Sequence, residues 1–95
     1  MKILAIEKEV SGVDWGKEKD TLKEEALRVY ELYHTGYLRE IYFDQHHNAV
    51  LILECESMEL AKDLLNSLPL LKKGIINFEI IQLNPYTGLD RIIKV

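Results

Sequence analysis

Two runs in this chain, Ile3-Leu4-Ala5-Ile6 and Val50-Leu51-Ile52-Leu53, are apolar at every position. Successive residues of a β-strand point to opposite faces, so a sheet built from these runs is apolar on both sides. An antiparallel sheet with one face in water alternates apolar with polar residues instead. Both faces must therefore be covered: helices of the same chain can cover one, and a sheet from another copy is the simplest cover for the other. Length points the same way. Ninety-five residues make one domain (1–95), and a chain of this size buries only roughly two thirds of the surface its unfolded form exposes. A homodimer or higher homo-oligomer is expected.

The elements follow in order. Ile3 to Glu7 is short, apolar and bounded by charge, which predicts a central strand. Lys8 to Asp20, with Gly12, Gly16 and an isolated Trp15, fits neither period and predicts a long loop. Thr21 followed by Glu24 reads as a capping box at a helix start. Leu22, Ala26, Val29, Tyr30 and Tyr33 then form an apolar stripe, with Lys23, Glu24, Glu25, Arg28 and Glu31 facing water, and Gly36 ends the helix. Leu38 to Asp44 and Ala49 to Cys55 predict an antiparallel hairpin. With a turn of two or four residues, Tyr42 opposes Leu51, Glu40 opposes Leu53, and Arg39 opposes Glu54 as a favourable charge pair. Ser57 caps a second helix whose buried face is Leu60, Ala61, Leu64, Leu65 and Leu68, and which Pro69 stops. Ile75 or Ile76 to Leu83 is the last strand. After the turn Asn84 to Gly88, the tail keeps Leu89, Ile92, Ile93 and Val95 apolar, as if to dock on something. Strand, helix, strand, strand, helix, strand with right-handed crossovers gives an α+β, ferredoxin-like βαββαβ fold, a four-stranded antiparallel sheet with both helices on one face.

Composition narrows function mainly by exclusion. A net charge of −4, with 12 basic residues scattered among 16 acidic ones, offers no basic stripe for phosphates, so no nucleic-acid partner is expected. The apolar start meets Glu7 too early for a signal-peptide core, and no stretch approaches the roughly 20 apolar residues of a membrane span. The single Cys55 has no internal disulfide partner, which predicts a reducing cytoplasm. Glycine-rich phosphate loops, CxxC pairs, nucleophile elbows and internal repeats are missing from the sequence.

One segment carries a family likeness. Leu64-Leu65-Asn66-Ser67-Leu68-Pro69-Leu70, followed by the strand Phe78 to Leu83, resembles the C-terminal half of muconolactone isomerase and its relatives. The similarity is weaker at Gly36-Tyr37-Leu38 and at Glu7. It implies a dimeric α/β barrel, two sheets packed face to face, and proton transfer on an unsaturated lactone with no metal or organic cofactor. In the strand after Gly36 the isomerase has a His, a Trp and an Arg where this chain aligns Glu40, Tyr42 and Phe43. A cation for a substrate carboxylate is therefore missing from that strand. The broader set of small dimeric barrels that includes YciI-like proteins fits equally well.

The candidate catalytic residues are Glu7, Glu40 and Tyr42. Glu7 ends the central strand near the mouth of any cavity, where burial would raise its pKa; the alternative is a solvated strand end. Glu40 and Tyr42, two apart on a strand, share a face and can pair a base with a hydroxyl that steadies an enolate, or simply be solvated on an edge. The candidate ligand-binding residues are Trp15, as a lid or a loop pin, and Tyr86, as a pocket wall or an anchor across the partner. His34 reads as a helix-end cation. His46 and His47, adjacent in a turn, read as surface imidazoles and not as a metal site, and Cys55, between Glu54 and Glu56, as a packing residue. The function these residues fit is a cofactor-free isomerase of a small carbonyl or lactone compound, or else a non-catalytic small-ligand-binding or assembly barrel.

Overall fold

A computed structural model describes residues 1–93. Its elements are β1 (Lys2–Glu9), α1 (Lys19–His34), β2 (Leu38–Phe43), β3 (Ala49–Glu54), α2 (Met58–Asn66), α3 (Pro69–Lys72) and β4 (Ile76–Leu83), with one-turn 3₁₀ segments at Trp15–Lys17 and Gly88–Arg91. The four strands are antiparallel in the order β2-β3-β1-β4, so β1 is central and the fold is the expected ferredoxin-like one. Among the described residues no helix is long and apolar enough to cross a membrane.

The register of β1 sorts its side chains between two faces. Ile3 opposes Leu53 and Ala5 opposes Leu51; these four are at most 1% exposed and share a core with Leu38, Ala61, Leu64, Leu65 and Leu68. That is the helix-bearing face. Leu4 lies between Ile52 and Ile81, and Ile6 between Val50 and Glu79, on the other face. There Leu4, Ile6, Val50 and Ile52 are only half-buried, and Ile81 and Leu83 are exposed. The doubly apolar strands thus have helices on one side alone.

The hairpin differs from expectation by one residue. Asp44 donates its N–H to the Asn48 carbonyl and accepts on its own carbonyl from His47 N–H, leaving Gln45, His46 and His47 as a three-residue loop. His47 takes the left-handed conformation (φ 62°), as the last residue of such loops does. An odd loop shifts the pairing: Tyr42 opposes Val50 and Glu40 opposes Ile52. A bulge at Arg39 then returns Leu38 to Leu53 and the core. Arg39 donates to the Gly36 carbonyl and not to Glu54, which instead meets the N-terminal amine at 3.5 Å.

Helix α1 also differs. It starts at Lys19 with Glu18 at its N-cap, so the Thr21–Glu24 capping box does not form. Lys73 from the end of α3 reaches in instead, donating to Thr21 Oγ1 at 2.8 Å and to Glu18 Oε2 at 3.0 Å. Two further polar contacts continue along the same stripe: Leu70 N–H donates to Glu25 Oε1 at 3.0 Å, and Arg28 Nε to Ser67 Oγ at 2.8 Å. The inward line is therefore Thr21, Glu25, Arg28 and Leu32, and Leu22, Tyr30 and Tyr33 of the expected stripe are exposed. Gly36, at φ 90°, ends α1 as expected.

Ser57 caps α2, its hydroxyl accepting from Leu60 N–H at 3.0 Å. The helix ends at Asn66, and Pro69 opens the short α3, where a missing N–H costs no hydrogen bond. Cys55 is buried, as a packing residue should be. Beyond β4 the tail is exposed, with Tyr86 and Ile92 both 77% accessible; Val95 lies outside the described residues. The radius of gyration is 15.8 Å, against about 12–13 Å for a compact chain of this length.

Truncating Leu53 in the shared core should cost about 2–5 kcal/mol, and Ser57→Ala about 1 kcal/mol from the lost cap. Urea unfolding of both variants measures the difference.

Candidate functional site

Hydrogen bonds tie the inward side of α1 to α3 and the end of α2, while on the neighbouring stripe Leu22 and Ala26 stay exposed and Val29 packs in part against the core. These three roof a cavity of about 660 Å³ above β1, β2 and β3, within the range of small-molecule pockets. Phe43, Leu51, Leu68 and Phe78 supply apolar floor and wall. The polar groups reaching it are Glu7, Glu9, Glu25, Trp15, His46 and His47.

Glu7 follows Ile3 and Ala5 on the helix-bearing face of β1, one step past the packed core. Its Oε2 accepts from Ala49 N–H at 3.2 Å. Burial raises its pKa, the Ala49 hydrogen bond opposes that, and the charge of Glu9 adds to it. Glu25 enters from the helix roof with its carboxylate on Leu70 N–H. Burial raises its pKa too, offset in part by that hydrogen bond, and the Glu7 charge pushes it further up. Two carboxylates from opposite walls therefore share one apolar space, and burial, with a smaller push from the Glu7 charge on Glu25, favours the protonated form of each relative to a solvated glutamate.

The rim is built from two loops. Trp15 donates its indole N–H to Glu9 Oε1 at 2.5 Å, which pins the β1–α1 loop beside the cavity, and the Asp14 carboxylate accepts from Gly16 N–H to shape the turn under it. In the hairpin loop the Asp44 carboxylate accepts from His46 and Asn48 N–H groups at 2.8 and 2.9 Å; these bonds hold its pKa below the ordinary carboxylate value. The His47 ring stacks on Phe43 at 4.0 Å. Among the described residues no cluster of three or more His, Cys, Asp or Glu is placed to hold a metal.

Of the sequence candidates, the cavity collects Glu7 and Trp15. Glu40 and Tyr42 lie on the helix-free face, where the Tyr42 hydroxyl donates to Glu40 Oε1 at 2.7 Å and that bond raises the tyrosine's pKa. The three-residue loop separates them from Glu7. In the expected register they oppose Leu53 and Leu51, which stand on Glu7's face; shifted by one, they oppose Ile52 and Val50, which do not. Tyr86 is exposed outside the cavity. Glu25, expected to face water, is the residue the sequence did not reveal: on a helix surface rich in glutamate, periodicity does not distinguish it from Glu24.

No family model matches the sequence, and no curated protein does. Solved structures match the backbone. A muconolactone isomerase crystal structure superposes with a TM-score of 0.76 over 93% of this chain and 93% of that one, at 20% identity. The chain has a muconolactone isomerase-like fold. A related match is 5-chloro-2-hydroxyhydroquinone dehydrochlorinase from Burkholderia phenoliruptrix AC1100 in complex with 2,5-dihydroxybenzoquinone, with a TM-score of 0.71 and 15% identity over 93% of this chain and 98% of that one. Within this muconolactone isomerase-like sheet, the register of β1 is what sets Glu7 beneath α1.

The raised acids give a pH signature. Each holds its proton more tightly folded than unfolded, so the stability they contribute is fully present below the ordinary glutamate value of 4.5 and is lost as pH rises through the raised value. Glu25→Gln keeps an acceptor for Leu70 N–H but carries no charge. At pH 4 it should melt close to wild type. At pH 8 it should melt higher, by about 4 °C if on the order of 1 kcal/mol is recovered; calorimetry at the two pH values checks this.

Proposed function

We propose that this chain is a cofactor-free isomerase of a small carbonyl or lactone compound, acting by proton transfer between Glu7 and Glu25. The observation that carries the reading is the pair of up-shifted carboxylates facing each other across an apolar cavity, in a fold shared with muconolactone isomerase. Proton transfer needs a base and an acid at the same pH, and burial in the shared cavity raises the pKa of both carboxylates, so that one can hold a proton while the other is ionised. The ionised member removes a proton from a carbon conjugated to the carbonyl; the electron pair delocalises onto oxygen as a dienolate; the protonated member returns a proton at another carbon. Substrate atoms and charge balance, and the two acids, left with their protonation exchanged, are reset by proton exchange with water. Trp15 flanks the entrance as the ligand-binding residue from the loop.

The protein is proposed to work as a homodimer in a reducing compartment such as the cytoplasm. The support is the half-buried apolar strip Leu4, Ile6, Val50 and Ile52 on the helix-free face, which an isolated chain would leave wet, and the buried, unpaired Cys55. Glu40 and Tyr42 stand on that same face and Tyr86 is exposed on the tail, so we assign these candidates to the proposed subunit contact. A second reading, a small-ligand binder without chemistry, is favoured by one observation: Tyr42, the hydroxyl expected to polarise a carbonyl, is on the other face of the sheet from the cavity.

Exchange of solvent deuterium into a butenolide, followed by NMR, separates the two. Glu7→Gln and Glu25→Gln should each slow exchange by about a hundredfold or more, while Tyr42→Phe should leave it near wild type. Variants as fast as wild type would remove the proton-transfer reading. Sedimentation equilibrium should give a dimer mass at micromolar protein, and Ile52→Glu should shift it to monomer.

A further inference from the structure

The cavity wall has a one-sided charge pattern. Glu7, Glu9 and Glu25 reach it, and among the described residues no Lys or Arg lines it. The basic side chains nearby are engaged elsewhere: Lys73 on Glu18 and Thr21, Arg28 on Ser67 and Glu31, Lys17 on Asp14 and Lys8 on Glu79. Backbone donors are engaged as well. The Ala49 and Leu70 N–H groups that point toward this space are accepted by the Glu7 and Glu25 carboxylates themselves, and the Trp15 indole N–H by Glu9. An anion entering here would lose its hydration, gain no cation, and face at least one like charge at close range. What the space does provide is apolar surface, from Leu22, Val29, Phe43, Leu51 and Phe78, around a volume of about 660 Å³, with ample room for a small carbonyl compound.

From this we infer that the ligand class of this site is an uncharged carbonyl compound without a carboxylate, and that Glu7 and Glu25 select against anionic analogues. The inference rests on the proton-transfer reading for the role of the two acids, but the selectivity is a property of binding and is read separately. The groups that set the charge of the space are Glu7 and Glu9 on β1, Glu25 on α1, and Asp44, His46 and His47 in the hairpin loop. Discrimination against an anion should therefore grow as pH rises and Glu7 and Glu25 ionise.

A matched pair of probes tests it: 5-methyl-2(5H)-furanone and the same ring bearing a carboxymethyl group in place of methyl. The two differ by one carboxylate. NMR titration of the full chain at neutral pH should show the methyl compound binding at least about tenfold more tightly, with the ratio falling at pH 5 and also falling in Glu25→Gln through a gain for the anion. The pH series on the wild-type protein needs no variant to fold. Equal or tighter binding of the carboxymethyl ring, or a ratio indifferent to pH, overturns the inference; so does failure of the methyl compound to bind in the millimolar range. Binding of the neutral ring without deuterium exchange leaves the inference standing and removes the proton-transfer reading. Preferential binding and exchange of the carboxymethyl ring does the reverse.

Discussion

The pairing of β1 between β3 and β4 is the constraint from which the rest of this structure follows. With Ile3 against Leu53 and Ala5 against Leu51, alternate residues of one strand are committed to the helices, and the next on that face, Glu7, is carried past the end of the core into the cavity. A slip by one residue would exchange the faces, placing Ile6 under α1 and Glu7 on the open side. The position of a carboxylate in an apolar space is thus fixed by main-chain hydrogen bonds along eight residues of strand, each of which costs free energy if left unmade.

The cavity owes its size to polar contacts. Had α1 laid the exposed part of its apolar stripe onto the sheet, Leu22 and Ala26 would fill the space they now roof. Three side chains on the adjoining stripe, Thr21, Glu25 and Arg28, are instead held by Lys73, Leu70 N–H and Ser67 Oγ. Each such bond contributes modestly in net terms, but breaking one in a half-buried site leaves an unpaired polar group. The same set delivers Glu25 to its place opposite Glu7. One hydrogen-bonded seam therefore both keeps the space open and supplies its second acid.

How much was legible depended on how local the signal was. The two capped or glycine-terminated helix ends, Ser57 and Gly36, and the apolar runs of β1 and β3 were readable because capping, chirality and alternation act within a few residues. The hairpin register was not, because it turns on whether two, three or four residues close the loop, and the sequence Gln45-His46-His47-Asn48 contains no glycine to mark the left-handed position that His47 adopts. The capping box at Thr21 was a valid local option that a distant lysine overrode. Glu25 was hidden for a related reason: its neighbour in function, Leu70, is 45 residues away.

By itself, then, the sequence determined the element order, the ferredoxin-like topology, the doubly apolar sheet and the presence of Glu7 on a central strand, since these depend on short-range periodicity and on the handedness of crossovers; that strand runs two residues past Glu7, to Glu9. Only the tertiary structure decided which polar residues meet. It put Glu25 across from Glu7 and sent Glu40 and Tyr42 to the far face, because side-chain convergence depends on loop parity, on a bulge at Arg39 and on hydrogen bonds between segments far apart in the chain. None of these leaves a periodic trace among neighbouring residues.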